Sequence, residues 1–187
     1  KADPETEILF TQNTAYSIYM TDHGSAAASS LMTALRTTYD ASIAIGYSPL
    51  VSTSIYCGDY SKQQLLWVMA GNYAVSQGEY TGAELRQMME WLVNVKDNGA
   101  NPIRHRNYMP VTSGMEYKVT EYEQGKFRLE ELTVNGAPLD DTATYTVFVA
   151  GTDVWIENEV YCSCPMPENL KTKRTEYAIE GADSRSC

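Results

Sequence analysis

Apolar positions recur along this chain at two distinct spacings, one in its first half and another in its second. From Ser25 to Thr37 the run SAAASSLMTALRT sets Ala28, Leu31, Met32 and Leu35 on one helical face, which predicts a core helix. Asp40 to Ile45 then reads as a short strand with Ile43 and Ile45 on one side, stopped by Gly46 and Pro49, and a loop follows from Tyr47 to Ser54. Gly58-Asp59-Tyr60-Ser61 reads as the start of a second helix, with Leu65, Leu66, Val68 and Met69 on its apolar side and Gly71-Asn72 as its stop. Tyr73 to Tyr80 alternates loosely as a strand. Thr81-Gly82-Ala83-Glu84 fits a capping box, in which hydroxyl and carboxylate each satisfy an orphan amide of the other residue. The helix it opens carries Leu85, Met88, Met89, Leu92 and Val95 on one face and ends in Asp97 to Pro102. Its methionines read as core filler.

The second half alternates instead. Met115 to Glu123 sets Tyr117 and Val119 against Lys118 and Thr120, Gly125 turns the chain, and Phe127, Leu129, Leu132 and Val134 continue as a second strand. Asn135-Gly136 is a hairpin turn signal, and Thr144 to Ala150 is β-branched and aromatic enough for a buried strand. Residues 165–187 show little periodicity and read as an irregular tail. Helices followed by strands, without regular alternation, imply an α+β layered mixed-sheet domain rather than a doubly wound one.

Composition narrows the function classes. With 24 acidic and 14 basic side chains among 187 residues, the chain carries a formal charge of −10, which disfavours binding to a nucleic-acid polymer. The longest apolar stretches, such as Tyr145 to Ala150, are strand-sized, so no segment reads as a membrane span. A polar beginning at Lys1, without a charged-then-apolar leader, reads as a piece of a longer or processed chain.

Chemistry-bearing residues are sparse. Cys162-Ser163-Cys164 reads as a pair of loop cysteines; a bridge from one of them to Cys187, or a redox or metal role, ranks behind that reading. His23 precedes a helix that Asp22 or Ser25 caps, and Arg104-His105-Arg106, the one concentrated basic patch, reads as a solvated loop before it reads as a phosphate holder. No nucleophile elbow, phosphate loop, zinc-protease motif or calcium loop occurs, and two separated histidines cannot supply a dinuclear metal site. A hydrolytic centre within this chain is therefore not expected.

The helix A-A-S-S-L-M-T-A-L-R, the strand Ala41 to Ile45, the segment Leu65 to Asn72, the phrase Glu79 to Leu85, and Leu132 to Asp140 followed by Thr144-Tyr145-Thr146-Val147 occur in an order that resembles the C-terminal domain of bacterial 5′-nucleotidases. The likeness spans roughly Thr21 to Val154 and implies three parts: a lead-in at 1–20 from an upstream domain, a 5′-nucleotidase C-terminal-like domain at 21–164, and the tail at 165–187. In that family an upstream metallophosphatase domain carries the catalytic groups and divalent metals, while the C-terminal domain clamps the nucleoside and swings between positions. The resemblance implies a nucleoside or nucleotide recognition lobe that is not catalytic alone and holds no cofactor. It also implies a location outside the cytoplasm: extracellular, on the cell surface or periplasmic. The alternative is a degenerate structural or interaction module without nucleotide affinity.

The resemblance also marks site positions. Where the family has an N-S-G-G-I-R loop, this chain runs Gly46-Tyr47-Ser48-Pro49-Leu50-Val51, without the asparagine and the arginine. The family's P-F-G-N loop corresponds to Met69-Ala70-Gly71-Asn72, and its last loop to Ala150-Gly151-Thr152-Asp153-Val154-Trp155. The substrate-binding set so implied is Tyr47, Gly71, Asn72, Tyr73, Asp153 and Trp155, with Tyr73 or Trp155 as stand-in stacking rings; catalytic and metal-binding residues are expected only upstream.

Overall fold

The computed structural model describes residues 7–18, 20–21, 24–68, 73–94, 109–123, 126–150 and 174–179. Strand β1 (Ile8–Gln12) is followed by the short antiparallel pair β2 (Met20–Thr21) and β3 (Gly24–Ser25). Helix α1 (Ala26–Thr38) begins where the Ser25 hydroxyl accepts the Ala28 amide. At its other end Asp40 turns to φ +49°, the Asp40 amide reaches the Thr37 carbonyl and the Ala41 amide reaches the Arg36 carbonyl. That pairing is a Schellman stop, and an aspartate rather than a glycine occupies the left-handed position.

Strand β4 (Ile43–Tyr47) starts three residues later than the sequence pattern suggests, because the helix stop occupies Asp40 to Ser42, and all five of its residues are buried. A 3-10 turn over Ser48–Leu50 follows. The expected helix start at Gly58 is a correction: β5 (Gly58–Ser61) is a strand, paired antiparallel with β1, and helix α2 (Lys62–Val68) begins after it. Local signals favour a cap at Gly58-Asp59, but the real cap is Ser61. Its amide donates to Gln64 Oε1 at 2.8 Å while its hydroxyl accepts the Gln64 amide, a second capping box.

Strand β6 (Tyr73–Thr81) and helix α3 (Gly82–Leu92) match the sequence reading, and both halves of the Thr81–Glu84 capping box form. The helix ends at Leu92; Val95, the Asp97 to Pro102 stop and the Gly71-Asn72 stop lie outside the described residues. Then come β7 (Pro110–Ser113), the hairpin β8 (Met115–Glu123) and β9 (Lys126–Val134), short β10 (Ala137–Pro138), and β11 (Thr144–Ala150). Asn135 and Gly136 both adopt positive φ, as a tight hairpin turn of this sequence demands. The tail is the second correction: β12 (Arg174–Ile179) is a strand pairing with β6, a partner about a hundred residues earlier that no local periodicity reveals.

The main sheet has the order β12-β6-β11-β4-β7. Among these described strands only the central β4–β11 pair is parallel, and the other pairings are antiparallel. Register places Ala44, Phe148 and Gln77 side by side on one face, and α1 covers that face. Tyr39 at the end of α1 stacks on Phe148 with ring centroids 4.5 Å apart, and its carbonyl accepts from Gln77 Nε2. Gly46 leaves room there, since a Cβ at that position would collide with Met32 Sδ. Helix α3 packs on β6 and β9 and sinks Leu85, Met88, Met89 and Leu92 into the core, so the methionines are filler, as their spacing implies. Helices and several sheets around one core make this an α+β layered mixed-sheet domain.

Candidate functional site

Five strand ends meet at one end of the main sheet. Because β4 and β11 run parallel, with Ile45 opposite Val149, the last residues of both strands, Tyr47 and Ala150, arrive at the same level. Ala150 lies opposite Val75 of antiparallel β6, so the chain comes into β6 at Tyr73 on this side, and Tyr73 itself pairs with Ile179 at the end of β12. Tyr47 pairs in turn with Pro110, the first residue of β7. Parallel strands gather ligands outside their carboxyl ends, where loops diverge and backbone groups are free to turn toward a bound molecule.

The loop leaving β4 is fixed rather than draped. The Ser52 amide donates to the Val68 carbonyl at 2.8 Å and the Ser52 hydroxyl to the Trp67 carbonyl at 2.5 Å, which ties the loop to the last turn of α2. Further on, Ser54 Oγ accepts the Ile18 amide, Tyr16 and Ile55 exchange two backbone bonds, and the Tyr60 hydroxyl bridges the amide and carbonyl of Tyr56. Sequence reasoning misses these hydroxyl anchors. The available signal is the Ser52-Thr53-Ser54 run, since short hydroxyl side chains bind nearby backbone and hold loops.

Tyr47, expected as a ligand contact, is 2% exposed and packs in the core cluster, so its position rather than a free ring is what it brings to this end of the sheet. Tyr73 begins β6 at the same end. Gly71, Asn72, Asp153 and Trp155 lie outside the described residues, as do His23, Arg104 to Arg106, Cys162, Cys164 and Cys187. Cys57 is exposed with a free thiol.

Ser48, immediately after Tyr47, is 5% exposed and its hydroxyl has no hydrogen-bond partner among the described residues; the fully buried Ser76 on β6 shares this condition. Behind Pro110, the Tyr117 hydroxyl donates to the Pro110 carbonyl at 2.7 Å, and burial holds this phenol well above its ordinary pKa. Tyr117 thus buttresses the strand that pairs with Tyr47. Among the described residues no three His, Cys, Asp or Glu side chains gather where they could hold a metal ion. No helix among them is long and apolar enough to cross a membrane.

Residues 10–152 match the family model described as the C-terminal domain of 5′-nucleotidase. Solved structures agree on the fold. The NAD nucleotidase of Haemophilus influenzae aligns over 81% of this chain and 29% of its own, at 15% identity and a TM-score of 0.62. A 5′-nucleotidase precursor from Thermus thermophilus aligns over 95% of this chain and 34% of its own, at 16% identity and a TM-score of 0.60. A sulfate thiohydrolase from the same organism aligns over 88% and 30%, at 17% identity and a TM-score of 0.56. This chain therefore spans about a third of the length of these solved relatives. Among curated proteins no sequence matches.

Proposed function

The chain belongs to the 5′-nucleotidase C-terminal domain family, and on that premise we propose that it is the substrate-recognition lobe of a two-domain phosphoester hydrolase, taking a nucleoside or nucleotide. The observation that carries this reading is the meeting of the β4 and β11 exits with the start of β6 at one end of the sheet, on a loop pinned by Ser52. In this reading Tyr47, Gly71, Asn72, Tyr73, Asp153 and Trp155 make up the substrate-binding set, with Tyr73 or Trp155 as the stacking ring. Every nucleobase offers a flat π-face, and each stacked ring contributes about 1–3 kcal/mol.

Bond cleavage would fall to a metallophosphatase domain upstream in the same polypeptide, where divalent metals would supply the hydrolytic chemistry; the described residues of this chain gather no group that fits such metals. Such a pair acts outside the cytoplasm, at the cell surface or in the periplasm, in line with the precursor named among its relatives.

The test is calorimetric titration of adenosine and of AMP into the 187-residue chain, with tryptophan fluorescence in parallel. Saturable heat, weakened by Trp155→Ala and Tyr73→Ala, is the expected result. Absence of heat at millimolar ligand overturns the reading in favour of a structural or interaction module.

A further inference from the structure

Among the described residues five large apolar side chains are strongly exposed, and four of them fall on one small unit: Ile8 (52%) and Leu9 (54%) on β1, Tyr56 (63%) just before β5, and Trp67 (60%) on α2. The fifth, Tyr122, lies on the distant hairpin under the Arg128 guanidinium. The unit is continuous. Ile8 stands opposite Ser61, the residue that caps α2, and Tyr56 is held by the hydroxyl of Tyr60 within β5. Trp67 lies one helical turn after the exposed Gln63 and Gln64, on the side of α2 that should be polar.

Two further features set this face apart. β1 and β5 form a two-stranded ribbon with no third strand among the described residues; buried Tyr60 and helix α2 pack β5 into the domain, while Ile8 and Leu9 leave β1 apolar and exposed. The face also carries little charge in a chain of net −10: residues 8–18 and 47–58 contain no Lys, Arg, Asp or Glu, Asp59 is engaged by the Thr11 hydroxyl, and Lys62 at the start of α2 is the one basic side chain of the described β1, β5 and α2 residues. An exposed apolar patch with few charges on an edge ribbon is the signature of an interface, not of a solvated surface.

We infer that the β1–β5–α2 face is where this lobe docks onto the domain that precedes it in the complete polypeptide, against an apolar, weakly charged surface of that domain. The occupant follows from length and direction: solved relatives are about three times as long as the aligned segment, and β1, the first described strand, is itself part of the patch, so preceding chain arrives on this face. The inference rests on reading the chain as one lobe of a longer hydrolase.

Hydroxyl-radical footprinting reads Ile8, Leu9, Tyr56 and Trp67 separately by mass spectrometry, with Tyr122 as an exposed reference. Compared with the 187-residue chain, the complete natural polypeptide should show oxidation of the four lowered by about fivefold, the change expected when half-exposed side chains become buried, and Tyr122 unchanged. Trp67→Lys in the complete polypeptide should restore oxidation of the other three, while leaving the melting temperature of the 187-residue chain in place. Equal oxidation in both lengths overturns the inference. Protection that grows with the concentration of the 187-residue chain alone also overturns it, and assigns the face to a second copy. If adenosine still binds in either case, the recognition reading survives and only the docking face falls.

Discussion

Asn94 and Phe127 exchange two hydrogen bonds across the end of α3: the Asn94 side-chain amide donates to the Phe127 carbonyl and its oxygen accepts the Phe127 amide, both at 2.9 Å. One side chain thus does for β9 what a neighbouring strand would do, and ties the hairpin to the helix. Asn94→Ala removes both bonds and should cost about 2 kcal/mol in urea unfolding. Asn94→Asp should fall between wild type and alanine, since it keeps the acceptor but sets a carboxylate against the Phe127 carbonyl.

Tyr117 gives the fold a definite alkaline limit. Burial disfavours the phenolate and raises the folded pKa above the unfolded one, so its contribution is complete below the ordinary phenol range, about pH 10, and is lost as pH rises beyond it. Absorbance titration near 295 nm should show Tyr117 ionising only as the protein unfolds. In Tyr117→Phe the alkaline transition should shift upward in pH, and stability at neutral pH should fall by about 1 kcal/mol for the lost bond to Pro110.

Ser76 buries a hydroxyl that has no partner, between Val149 and Glu176 in register. Ser76→Ala removes an uncompensated desolvation cost and should raise stability by about 1 kcal/mol, read as a higher melting temperature. A loss of stability comparable to that of a core truncation would contradict the description of this hydroxyl.

Gly82 allows no side chain at the start of α3. A Cβ there would collide with the Asp140 carbonyl oxygen, and that segment cannot retreat because the carbonyls of Asp141 and Ala143 accept the amides of Ala83 and Gly82. Gly82→Ala should destabilise by about 3 kcal/mol or more, in contrast to an alanine at an open helix position. Thermal melts of both variants distinguish the two situations.

Helix α3 and the β8–β9 hairpin are legible in the sequence because their information is local: a capping box, a three-and-four spacing, alternation broken between Leu129 and Leu132 where the register shifts, and an Asn-Gly turn. β5 is not, because its strand character comes from pairing with β1 some fifty residues away, while Gly58-Asp59 imitates a helix start. β12 is hidden for the same reason. At the candidate site the order of segments can be read by resemblance, but burial cannot. Alternation says which residues share a face of β4 and not that both faces are covered, so Tyr47 reads as a contact and packs as core.

The placement of β11 between β6 and β4 also governs how the molecule comes into being. A growing chain that has not yet reached Thr144 holds two strands with a gap where the central one belongs, their facing amides and carbonyls unpaired. Non-local closure of this kind is slow and all-or-nothing. The end of the sheet where the five strand ends meet therefore assembles only after Ala150 has taken its place opposite Val75, and β12 is added to the far edge of β6 later still.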